Sequence, residues 1–139
     1  MKQLLSALLF VFLSGAALSQ CTIYSLDRSG SNKVKKGKVD NKIIYRIDAA
    51  GKSTKAGKID NNIIYSTDRK GLTPVKKGKI EDGIIYSTNA YGTEAVKVGK
   101  IDKGFIYSTD SYGLNPTLVG KVEGDGCEEG GALILLLVK

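Results

Sequence analysis

The residues able to do chemistry in this chain are few in kind and regular in spacing. Its 139 residues include no His, so acid and base work would fall to Asp, Glu, Tyr or Lys. Asp27, Asp48, Asp68, Asn89 and Asp110 recur at steps of 20 or 21 residues, each followed three residues later by Gly30, Gly51, Gly71, Gly92 or Gly113. A circle of carboxylates suggests a cation site. The fixed offset to glycine points instead to turns, in which Asp or Asn caps the backbone and Gly accepts a positive φ. No residue is assigned a catalytic role, no metal site is expected, and neither a cofactor nor nucleic acid is an expected ligand.

Two further sets could act as binding surfaces. Lys38, Lys58, Lys79, Lys100 and Lys121 each follow a glycine and precede Ile or Val, and strand alternation points them outward. Such a set, thickened by Lys36, Lys77 and Lys97, could form a platform for anionic lipid or polysaccharide, each Lys contributing about 1 kcal/mol near an anionic membrane. The alternative is a solvated face that keeps the protein soluble and its edges blunt. Tyr24, Tyr45, Tyr65, Tyr86 and Tyr107 form a second set, read as a candidate core or aromatic ring that fills a strand face; stacking on sugars or lipid is the other use. Tyr91 and Tyr112 fall in turns, where they could make a contact patch.

These residues are positioned by a repeat. An Ile-Tyr pair recurs at residues 23–24, 44–45, 64–65, 85–86 and 106–107, and a Gly-Lys-(Ile/Val) triplet begins at Gly37, Gly57, Gly78, Gly99 and Gly120. Short β-branched runs between turn signals read as strands, so each unit of about 21 residues is one β-hairpin. The chain opens on an Ile-Tyr strand with no Gly-Lys strand before it and closes on the converse. The expected fold is therefore all-β, a closed five-fold ring of hairpins in which the N- and C-terminal half-repeats pair. Cys21 and Cys127 fall at the same hairpin end, and an exported chain with an even cysteine count is expected to join them. This disulfide would contribute about 4 to 5 kcal/mol in the chain-entropy model.

Export itself is read from residues 1–19. Lys2, the apolar run LLSALLFVFL and the small residues of SGAALSQ make a signal peptide. Ala17 and Ser19 satisfy a small-x-small cleavage rule and place the cut after Ser19, giving a secreted or periplasmic protein. The competing reading makes Cys21 the lipid-bearing cysteine of a lipoprotein, but Gln20 is a poor residue to precede it.

The mature domain then spans residues 20–127, and residues 128–139 form an apolar tail. Residues 132–138 are too few to span a bilayer as a helix, which takes about 20. As a strand the segment would be apolar on both faces and would need burial. The reading favoured here has Gly130 and Gly131 turn the chain back so that Leu133 to Val138 plug the axis of the ring. Insertion into a partner or a membrane is the alternative.

With these residues in place, the chain resembles the β-flower family: small, shallow barrels with rotational symmetry, in which Gly-Lys-Ile and Ile-Tyr strands alternate with Asp-x-x-Gly turns. The resemblance runs from Cys21 to about Cys127 and implies the five-fold form. It implies no activity. In shape that family is similar to the Tubby C-terminal-like barrels and phospholipid scramblases, where lipid contact is a theme. The functional expectation is an exported, non-enzymatic binding or structural module of the bacterial envelope that contacts anionic surfaces through its lysines. A protein interaction module using the apolar tail or the turn tyrosines is the alternative.

Overall fold

The computed structural model describes residues 20–137 of the chain; the signal-peptide expectation for residues 1–19 and the positions of Val138 and Lys139 lie outside them. Ten strands alternate along the chain: β1 (Gln20–Ser25), β2 (Val34–Asp40), β3 (Ile43–Ile47), β4 (Ser53–Asp60), β5 (Ile63–Ser66), β6 (Val75–Glu81), β7 (Ile84–Ser87), β8 (Val96–Asp102), β9 (Phe105–Ser108) and β10 (Thr117–Gly124). Each pairs antiparallel with its neighbours in sequence. β1 also pairs with β10, through Cys21 opposite Gly124 to Ser25 opposite Gly120, and closes the barrel. The all-β closed ring expected from the half-repeats at the two ends is the fold.

Two kinds of connection separate the two ends of the barrel. On one end, which we call the turn side, β2–β3, β4–β5, β6–β7 and β8–β9 are joined by two-residue turns. Their central residues all have positive φ: Asn41 and Lys42, Asn61 and Asn62, Asp82 and Gly83, Lys103 and Gly104. That backbone matches the right-handed twist of the paired strands. On the opposite, loop side the Asp-x-x-Gly segments reverse the chain. Asp68 Oδ1 accepts from the backbone N–H of Lys70 at 2.9 Å and of Leu72 at 2.8 Å, and Gly71, at φ 81°, donates its N–H to the Asp68 carbonyl. Asn89 makes the same two side-chain bonds, to Tyr91 and Thr93, each 3.0 Å.

Where β1 meets β10 no turn joins the strands, and the Cys21–Cys127 disulfide bridges that end instead, with Cα atoms 5.9 Å apart. Both cysteines are buried.

Ile23, Ile44, Ile64, Ile85 and Ile106 are fully buried and line the interior. The tyrosine that follows each of them is only half-buried. This corrects the core reading of Tyr24, Tyr45, Tyr65, Tyr86 and Tyr107: with a side-chain period of two, an isoleucine facing inward sends its neighbour to the outer face. Opposite each Ile-Tyr step the partner strand carries one extra residue, a bulge at Lys36 in β2, Ala56 in β4, Lys77 in β6, Val98 in β8 and Val119 in β10. An extra residue on one strand sharpens local twist, which lets short strands close a tight barrel.

The tail, read above as an extended strand, is helical: a 3-10 turn over Glu128–Ala132 runs into a π turn over Leu133–Leu137. Ala132 and Leu133 are fully buried, Leu137 is nearly so, and Ile134, Leu135 and Leu136 pack on the same core. The five glycines of the Gly-Lys strands are where the wall meets this turn. A Cβ on Gly37 would collide with Leu133, on Gly120 with Ile134, on Gly99 with Leu135, on Gly78 with Leu136 (2.6 Å) and on Gly57 with Leu137 (3.0 Å). In the order β2, β10, β8, β6, β4, consecutive tail residues meet consecutive inner strands around the barrel. Arg46 holds the end of the turn by donating Nη2–H to the Leu137 carbonyl.

Candidate functional site

The lysines read as an anion platform are half-buried on the outer wall, and the register explains their neighbours. Lys38 pairs with Tyr45, Lys58 with Tyr65, Lys79 with Tyr86 and Lys100 with Tyr107. Their ammonium groups lie 5.1 to 5.4 Å from the ring centres, within cation–π range. The two candidate sets are thus one composite belt, a relationship that neither spacing alone reveals.

The belt departs from its pattern at the seam. Lys121 pairs in register with Tyr24, but it bonds Glu123 at 2.9 Å and lies 5.9 Å from the Phe105 ring. Lys33 takes its place over Tyr24 at 4.1 Å and bonds Glu123 at 2.6 Å. The hydrogen bond from Lys33, then that from Lys121, holds the Glu123 carboxyl down at about 2, and the Glu123 bond in turn raises the Lys33 ammonium. Two residues beyond each belt lysine stands an acid: Asp40, Asp60, Glu81, Asp102 or Glu123. Only the two glutamates, with the longer side chain, close onto their lysine, Glu81 at 3.0 Å from Lys79.

Charge is therefore balanced along the wall and unbalanced between the ends. Segments 26–36, 46–56, 67–77, 88–98 and 109–119, on the loop side, carry twelve Lys or Arg against five Asp or Glu, whereas the remaining described residues carry seven against nine. The four loop-side aspartates are also occupied, each accepting backbone N–H bonds, whereas Glu94 is exposed. Asp27 is held below its usual range first by the Ser29 hydroxyl and then by the Ser31 amide, and Asp110 first by the Leu114 amide. The expected Lys36, Lys77 and Lys97 fall on this side, and so do Arg46, Lys52, Lys55 and Arg69, which spacing did not single out. Aligning the units finds one of these: Arg46 stands where the other units have Ser25, Ser66, Ser87 and Ser108.

The same end carries exposed apolar side chains. Tyr91 is 84% and Tyr112 80% exposed, with Leu72 and Leu114 each at 60%. Among the described residues no cluster of three or more His, Cys, Asp or Glu is placed to hold a metal ion, and no helix is long and apolar enough to cross a membrane. The chain matches no protein-family model, no curated protein and no solved structure, so the resemblance to β-flower proteins stands on the repeated motif alone.

Proposed function

We propose that the protein is an exported, non-enzymatic binding module of the bacterial envelope whose loop side contacts an anionic surface, lipid or polysaccharide. The observation that carries this reading is the charge separation between the ends, twelve basic against five acidic residues on the loop side. A field of one sign on one face orients a protein toward an opposite surface and speeds encounter. The five belt lysines belong to this reading as flanks: they radiate around the wall, so a flat surface meets only some of them at a time. Export is supported by the signal-like residues 1–19 together with the disulfide, a bond kept in oxidising compartments.

The test is co-sedimentation of residues 20–139 with anionic and neutral vesicles and with an insoluble acidic polysaccharide, at low and high salt. Binding to at least one anionic surface that weakens with salt is expected. Equal binding to neutral and anionic surfaces, or none to any, overturns the reading.

A second reading, docking on another protein, is favoured by Tyr91 and Tyr112, whose exposed rings suit an interface anchor. It rests on those loop tyrosines and not on the tail, whose leucines pack inside the barrel. Binding insensitive to salt but lost in a Tyr91→Ser, Tyr112→Ser variant would support it.

A further inference from the structure

The loop side is uneven, and its unevenness makes a groove. Between the second and third loops lies an open cavity of about 1140 Å³, floored by Leu136 and Leu137 of the tail. Five cations line it, Arg46, Lys52, Lys55, Arg69 and Lys77, against the two carboxylates Asp48 and Asp68. Both carboxylates already accept two backbone N–H bonds through Oδ1. None of the ion pairs among the described residues involves any of the five cations. What sets this group apart is its gathering in one cavity, five cations against two carboxylates whose Oδ1 atoms are already engaged.

The remaining lining narrows the ligand. Ser53, Thr54 and Ser66 are among the lining residues, as is Thr67, whose hydroxyl donates to the Asp68 carbonyl. Hydroxyls that donate and accept suit a polyol, and guanidinium groups suit carboxylate or sulfate through paired N–H bonds. The volume exceeds the roughly 300 to 1,000 Å³ of compact small-molecule pockets, which fits an extended ligand. A flat bilayer would span the rim and leave the floor unfilled.

We infer that this groove binds an acidic oligosaccharide, a chain of several sugars bearing carboxylate or sulfate groups. The inference rests on the proposed anionic partner and assigns it to one place and one class. Arg46 anchors the design: it grips the tail through Leu137 and places its guanidinium at the groove floor, at a position where the other four units have serine.

The sequence repeat supplies variants that keep the fold. Lys52→Thr copies Thr93, Arg69→Ala copies Ala90 and Lys77→Val copies Val98, each the residue at the equivalent position of the fourth unit. Lys103→Asn, on the turn side, copies Asn41 and serves as the control. Calorimetry at low salt would use an alginate hexasaccharide and a heparin hexasaccharide as probes, neutral maltohexaose as the uncharged sugar, and inositol hexakisphosphate as a compact polyanion. We expect one acidic hexasaccharide to bind, maltohexaose not to, and the triple variant to lose about tenfold or more in affinity, as loss of charge-assisted hydrogen bonds implies. Lys103→Asn should stay within about twofold, since an exposed charge remote from a site contributes little.

Equal losses in the triple variant and the control would overturn the groove assignment, and binding of inositol hexakisphosphate as tight as the hexasaccharide would overturn the sugar class. Binding to anionic vesicles with no affinity for either acidic hexasaccharide would overturn this inference while sparing the proposed function. No binding to any anionic probe or surface would sink both.

Discussion

Leu136 occupies the space that a side chain on Gly78 would need, its Cδ1 standing 2.6 Å from where that Cβ would be. The Tyr86 carbonyl crowds the same point from the neighbouring strand. Gly78→Ala is therefore expected to destabilise the barrel by about 1 to 3 kcal/mol, the range for overpacking a tight core. In a Leu136→Ala background the same change should cost somewhat less, the remaining cost coming from the Tyr86 carbonyl, which is the nearer obstacle and belongs to the backbone. Denaturant midpoints of the four proteins in the cycle test this; strictly additive costs would show that the leucine and the glycine are not in contact.

Removing the Cys21–Cys127 bond should cost about 2 to 5 kcal/mol, as for native disulfides of small exported domains. It joins residues 106 apart at the end of the barrel where no turn connects the strands, so its loss frees both chain ends at once. Thermal unfolding of a Cys21→Ser, Cys127→Ser variant beside the oxidised protein measures the effect. A variant as stable as the parent would show that strand pairing and the tail hold the seam unaided.

Acid should act on the seam in a defined window. Glu123 titrates at about 2 instead of the ordinary 4.5 because Lys33 and Lys121 bond its charged form. A carboxyl with a depressed folded-state value stabilises the native state above its unfolded value, here above pH 4.5. That contribution fades as pH falls from there through about 2. NMR titration of the Glu123 side chain should give a midpoint near 2, and Lys33→Met should move it back toward 4.5. An ordinary midpoint in the parent protein would remove the ion-paired seam.

The loop caps make an internal comparison. Asp68→Ala leaves the Lys70 and Leu72 amides without their acceptor and should cost about 1.5 to 3 kcal/mol, the range for a charged hydrogen-bond partner. Asp68→Asn should be close to neutral, because Asn89 already makes the equivalent bonds in the fourth loop. Melting temperatures separate the two outcomes, and equal losses for Ala and Asn would show that charge, not acceptor geometry, sets the turn.

Much of the barrel was legible because its determinants are local. Asp68 and Gly71 fix a loop within four residues, Asn61 and Asn62 fix a turn within two, and unmatched half-units at the chain ends leave the β1–β10 pairing as the way to close. The tail was not legible in conformation. Leu133 to Leu137 carry no helical periodicity because a turn enclosed by a barrel touches wall on every side, so every position is apolar. The pairing of Lys58 with Tyr65 lies in the bulge-free β4–β5 hairpin, where the two residues stand symmetrically about the Asn61–Asn62 turn, so it is legible only when the lysine and tyrosine spacings are read together with that turn. The groove was missed because its residues come from different positions of two units, and only Arg46 breaks the sequence pattern by itself.

The match between tail and wall fixes a number. A turn that gives one side chain to each of five glycines advances about 72° per residue, a smaller step than the roughly 120° of the 3-10 winding before it and close to that of the π form it adopts. If a hairpin were duplicated or lost, as repeated genes readily do, the tail would be left a tooth short or a tooth over, like a gear cut for another wheel. The C-terminal peptide thus works as a gauge of copy number: gain or loss of a unit is expected to be tolerated only together with a retuned tail, which holds this chain to ten strands.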